Sequence, residues 1–149
     1  MRTGERVDDC RRLLLLANDL TARGDHAGAA TALRKAKGLA ARSRDLALVA
    51  EILRHLFRTC WKAGDIAGAQ QALEEEVAVN RRLGDTYHVA EALLGLAFFP
   101  RLGSGAEKRR LLNEARELAR KHNYKDIQQQ IERRLTAMKM AGLSFDDFP

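Results

Sequence analysis

Aromatic side chains are scarce in this chain of 149 residues, at 5% of positions, and proline occurs only twice. β-rich domains lean on aromatic and β-branched residues, so this composition argues against a mainly β fold. There are two cysteines, Cys10 and Cys60. They are too few and too far apart for a disulfide framework or a zinc site, and both fall in helical patterns where a thiol behaves as a small hydrophobe. Apolar runs are short. The longest leucine run, Leu13–Leu16, is far below the length of a membrane span, and the start MRTGERVDDC has no apolar stretch of signal-peptide kind. The expected setting is a reducing cytoplasm, with no membrane partner.

Ala, Leu, Arg and Glu dominate what is present; hydrophobic residues make up 46% and charged residues 31%. The length suits one domain able to bury a core without metal or disulfide staples. Twenty-six basic against twenty acidic side chains leave a net charge of +6. Residues 1–45 carry ten basic and six acidic side chains, 46–85 five and six, and 86–149 eleven and eight. A surplus spread in this way favours acidic partners weakly. A nucleic-acid role is disfavoured, because no aromatic residues are interleaved with the basic ones as a base-stacking platform needs.

The chain repeats itself. GDHAGAATAL at 24–33 returns as GDIAGAQQAL at 64–73, and LVAEILRHL at 48–56 returns as HVAEALLGL at 88–96. Both echoes have an offset of 40, and a weaker third copy, RLGSGAEKRRLL at 101–112, follows at 39. Two separate blocks sharing one period mark a repeat architecture. Each unit has the content of a helical hairpin. Leu46, Val49, Ala50, Leu53, Phe57 and Cys60 recur at helical steps, and Ile66, Ala69, Leu73, Val77 and Asn80 form a second stripe. Gly64 is placed to end one helix and Asp65 to cap the next, and Asp85 opens the following unit in the same way.

Seven helices are expected, at about 8–23, 26–42, 46–63, 66–83, 86–99, 105–122 and 125–141. The third unit departs from the pattern: Pro100 shortens its first helix, Gly103-Ser104-Gly105 loosens the turn, and Lys108 stands where Ala29 and Ala69 stand in the earlier copies. Ile127, Ile131, Leu135 and Met138 give the last helix one apolar face, as a terminal capping element requires. The tail GLSFDDFP (142–149) pairs two aromatics with two acids; disorder is its default, with docking on its own last helices or in a neighbour's groove as alternatives.

The Gly-Asp-x-Ala-x-Ala-x-x-x-Leu block after a helix resembles the tetratricopeptide repeat in its long variety of about forty residues, and AVNRRLGDTYHVAEALLGLA (78–97) carries the likeness best. That variety is similar to repeats of Pins-type adaptors, kinesin light chains and bacterial MalT-like and Rap-like regulators. The resemblance covers about residues 9–141. It implies an all-α, right-handed helical-hairpin solenoid within a single domain, 1–141. Its repeats would lie at about 8–44, 45–84 and 85–123, followed by a capping helix at about 125–141. It also implies a concave groove lined by the first helix of each repeat. Carried onto this sequence, the groove positions are Arg11, Leu15 and Asn18, then Glu51, Arg54, His55, Arg58 and Lys62, then Glu91, Gly95 and Phe98. The family's chaperone-tail clamp is disfavoured, because Leu14 stands in the place of its first lysine and His55 in that of an asparagine.

Arg54 and Arg58 are one helical turn apart and Lys62 one turn further, so they read as a line of cations able to hold an acidic peptide by charge-assisted bonds. Phe98 would add an apolar contact. No phosphate loop, nucleophile elbow or clustered Cys/His motif appears, so neither an enzyme nor a cofactor is expected. Glu51 and His55 share a helix face, but Gly95 replaces the second histidine one repeat later, and a metal site is not expected. The chain therefore reads as a protein- or peptide-binding adaptor or scaffold. The alternatives are a sensor fragment of a larger bacterial regulator that binds a small ligand or signalling peptide, and a weak nucleic-acid binder. Open solenoid ends or the tail would allow self-association.

Overall fold

The computed structural model describes residues 2–100 and 103–147. Arg101 and Leu102 of the third copy, and Phe148 and Pro149 of the tail, lie outside the described residues. Among the described residues the fold is all-α: α1 (Thr3–Ala22), α2 (His26–Arg42), α3 (Leu46–Ala63), α4 (Ile66–Leu83), α5 (Thr86–Ala97), α6 (Gly105–Lys121) and α7 (Lys125–Met140), then a 3₁₀ turn at Phe145–Asp147. No helix among them is long and apolar enough to cross a membrane. The chain forms two compact units, Met1–Val79 and Asn80–Pro149, and the division falls inside α4.

The helix ends follow from one turn used four times. Asp25, Asp45, Asp65 and Asp85 stand twenty residues apart. Each carboxylate accepts the backbone N–H three residues on, from Gly28 (2.8 Å), Leu48 (3.0 Å), Gly68 (2.9 Å) and His88 (3.1 Å). Each aspartate's own N–H reaches back five residues, to the carbonyls of Leu20, Ala40, Cys60 and Asn80 at 2.9–3.2 Å. Donors at the start of one helix and carbonyls at the end of the last are thus satisfied together. That wrap needs a left-handed residue before the aspartate. Glycine supplies it at Gly24, Gly64 and Gly84, while Arg44 adopts it at φ 57°. Asn123 does the same before α7, ahead of Tyr124, whose side chain makes no cap bond. Before α6, Ser104 replaces the aspartate and accepts the N–H of Glu107 at 3.3 Å.

In the first unit α2 packs against both α1 and α3. Its buried side is almost all alanine (Ala29, Ala30, Ala32, Ala36 and Ala40), which lets neighbouring backbones approach closely. Cys10 of α1 reaches the Ala36 carbonyl at 3.4 Å. Ile52 and Leu53 of α3 are wholly buried, and truncating either would cost about 2–5 kcal/mol by loss of contacts and an unfilled cavity. Both cysteines are buried and unpaired, and burial pushes both thiols up from their ordinary range.

The second unit packs α6 against α5 and α7. Leu93 and Leu94 of α5 and Ile127 and Ile131 of α7 are among its largest fully buried side chains. Lys108, in the slot that Ala29 and Ala69 fill in the earlier copies, is itself 2% exposed, and desolvation holds its ammonium below the usual lysine range. The tail departs from the default of disorder. Phe145 is buried and its ring lies 5.5 Å from that of Phe98, and the Arg134 guanidinium sits over Phe98 at 5.5 Å. Burial of an aromatic ring is enough to hold a short terminal turn.

Candidate functional site

A cleft of about 410 Å³ opens in the first unit, within the range of ligand pockets. Leu14, Ala17, Asn18 and Thr21 of α1, Leu33 of α2, and Glu51, His55, Arg58, Thr59 and Lys62 of α3 line it. Ala17, Leu33 and Thr59 are buried, whereas Asn18, Glu51, Arg58 and Lys62 are exposed. The site is therefore a mainly apolar base with a polar, charged mouth.

Helix geometry explains which residues share it. At about 100° per residue, positions 51, 55, 58, 59 and 62 fall within roughly a quarter to a third of the α3 circumference. Asn18, Glu51, His55, Arg58 and Lys62 are thus brought together in one cleft. Arg54 lies about 60° from Glu51, on the side away from His55, and does not line the cleft. The expected line of three cations is here a pair, Arg58 and Lys62. On α1 the lining stripe is 14, 17, 18 and 21; Arg11 and Leu15 lie further round the helix, and Leu15 is 68% exposed. Leu14, Thr21 and Thr59 are lining residues that the groove register passes over. Ala17, 3% exposed between Leu16 and Asn18, marks the centre of the α1 face that packs inward.

His55 is the titratable centre of the cleft. The Arg58 guanidinium stands 3.5 Å from His55 Nδ1. Because guanidinium can only donate, this contact favours Nδ1 as the acceptor. Burial holds His55 below the ordinary histidine range; Arg58 and Arg54 push the same way and Glu51 opposes them. Thr21 donates its hydroxyl to the Ala17 carbonyl at 2.8 Å, which leaves its oxygen free to accept. Neither Arg58, Lys62 nor Glu51 forms an ion pair among the described residues, whereas Arg34 and Lys37 on α2 are paired with Asp65 and Glu75.

In the second unit, Glu91 and Gly95 are half-buried on α5. Phe98 is engaged by the chain itself, through contacts with Phe145 and Arg134. A polar and aromatic cluster lies where α5 and α7 begin. Tyr87 donates to Asp126, the Thr86 and Tyr124 hydroxyls meet at 2.6 Å, and the Tyr87 and Tyr124 rings stand edge to face at 5.1 Å. Trp61 sits at the end of α3, 46% exposed, with Phe57 at 6.5 Å between ring centroids. Among the described residues no group of three or more His, Cys, Asp or Glu side chains could hold a metal ion. Compared with models of known protein families, with curated proteins and with solved structures, the chain matches none.

Proposed function

We propose that the helical hairpins are tetratricopeptide-like repeats, three of them followed by a capping helix in a right-handed solenoid. We further propose that the chain is a protein- or peptide-binding module. Its working surface is the cleft between α1 and α3, and its work is recognition at equilibrium on a preformed face. The repeat reading is supported by the four aspartate caps at a spacing of twenty, which punctuate the chain helix by helix.

One observation carries the binding reading: Arg58 and Lys62 stand at the mouth of an apolar-based cleft without a carboxylate of their own. Arg34 and Lys37 on the neighbouring α2 find their carboxylates within the fold, in Asp65 and Glu75. Here the partner is a carboxylate from another molecule, held by charge-assisted hydrogen bonds above a base that excludes water. Asn18 and the Thr21 oxygen face the same space and suit the backbone of an extended segment.

The test is capture from nuclease-treated lysate by three baits: wild type, Arg58→Glu/Lys62→Glu, and Arg11→Glu/Arg54→Glu. The last makes the same charge change outside the cleft. A protein kept by wild type and the control, and lost at least about tenfold by the cleft variant, supports the cleft as the working surface. Equal capture by all three baits contradicts it.

A further inference from the structure

The charges along the cleft have an order. Glu51 stands near one end of the lining stretch of α3, with Arg58 seven residues and Lys62 eleven residues further on. At a rise of about 1.5 Å per residue these separations are about 10 and 16 Å along the helix. An extended peptide covers that distance in roughly three to five residues at about 3.3 Å each. Glu51 is exposed and forms no ion pair among the described residues, so its carboxylate is as available to a ligand as the two cations are. Between the two ends the base of the cleft is apolar or neutral, from Leu14, Ala17, Leu33 and Thr59.

Resting on the reading of the cleft as a peptide-binding site, we infer that its ligand is a short extended peptide segment of two signs. Its basic side chain is held by Glu51, its acidic side chain by Arg58 and Lys62, and a small apolar stretch lies between. A uniformly acidic segment would place a carboxylate against Glu51. A uniformly basic one would leave Arg58 and Lys62 facing like charge. The cleft thus selects by repulsion at either end as well as by attraction. His55 lines the cleft between the two ends.

The experiment is calorimetric titration of the whole chain with three end-blocked peptides sharing a central leucine. The first has arginine at one end and glutamate at the other, the second glutamate at both ends, and the third arginine at both. Wild type binds the two-signed peptide at least about tenfold more tightly than either of the others. Glu51→Lys moves the preference to the di-glutamate peptide, and Arg58→Glu/Lys62→Glu moves it to the di-arginine peptide. Glu51→Gln, which adds no charge, shrinks the preference to below about threefold. Unchanged helical circular dichroism shows that each variant is folded.

A wild-type preference for the di-glutamate peptide overturns the two-signed ligand while leaving an acid-binding cleft. Absence of binding by all three peptides overturns both readings. If Glu51, Arg58 and Lys62 are only solvated helix charges, the peptide ranking is unchanged in the variants, and that result also overturns the inference.

Discussion

Arg34 of α2 donates to the Oδ2 of Asp65 at 3.0 Å, while Oδ1 of the same carboxylate accepts the Gly68 N–H at 2.9 Å. One side chain therefore caps α4 and ties it to α2. The N–H of Gly68, chiefly, and then Arg34 hold the Asp65 carboxyl below the usual carboxylate range. The arrangement also accounts for Gly68, since a Cβ there would stand 2.2 Å from Asp65 Oδ2 and 3.0 Å from Arg34 Nη2. Gly28 has the same relation to Asp25, at 2.3 Å, but Asp25 forms no ion pair among the described residues. At Asp45 the cap bond persists beside Leu48, so an aspartate free to turn tolerates a side chain at this position.

Alanine at the two glycines separates these effects. Gly28→Ala gains up to about 1 kcal/mol from helix propensity, because Asp25 can swing aside. Gly68→Ala gains less or loses, since Asp65 cannot move without leaving Arg34. Chemical denaturation of both variants checks this, and equal gains would contradict the role given to Arg34.

Arg44 holds the left-handed conformation that glycine holds in three sister turns. A side chain there costs about 1 kcal/mol. Arg44→Gly is expected to raise stability by about that amount and the melting temperature by roughly 2–6 °C. The reciprocal Gly84→Arg lowers both. Thermal unfolding followed by circular dichroism distinguishes the two signs.

The hydrogen bond to Asp126, with burial and nearby acids, pushes the Tyr87 hydroxyl up to about 12. The unfolded chain loses this proton near pH 10 and the fold keeps it to about 12, so the linked stability is full below pH 10 and falls across that window. Tyr87 and Tyr124 are the only tyrosines. In a Tyr124→Phe background, ultraviolet titration should give a midpoint near 12, and Asp126→Ala should bring it down toward 10.

His55 gives the cleft a pH signature. Its folded value lies below the ordinary 6.5, so the fold favours the neutral ring. The unfolded chain takes up a proton first as pH falls below about 6.5, and the linked stability declines from there through the folded value. A carboxylate bound beside Arg58 favours the protonated ring and raises His55. Nuclear magnetic resonance of the ring should show a midpoint below 6.5 in the free chain and an upward shift on saturation with a glutamate-bearing peptide.

The limits of α2, α3 and α4 coincide with those expected from spacing, because each turn announces itself locally through an aspartate and a preceding glycine or polar residue. The ends that differ are set by other contacts. α1 begins at Thr3, where Glu5 reaches back to the Arg2 N–H at 3.1 Å, and α5 stops at Ala97, just before Phe98 meets Phe145. A pairing across nearly fifty residues has no local signature, so the docked tail was not legible. Glu51, His55, Arg58 and Lys62 could be gathered from their spacing on one helix. The face of α1 could not be placed to within a residue, because four consecutive leucines hide the phase of the stripe and only packing chooses Leu14 and Ala17 over Leu15.

The cleft between α1 and α3 is proposed to bind a peptide segment. Amide chemical-shift mapping of the labelled chain, titrated with the arginine–glutamate peptide, tests it most directly. Saturable shifts concentrated at residues 14–21, at Leu33 and at 51–62 are expected, with their loss in Arg58→Glu/Lys62→Glu. Shifts centred on other surfaces, or none at saturating peptide, would contradict peptide binding by the cleft.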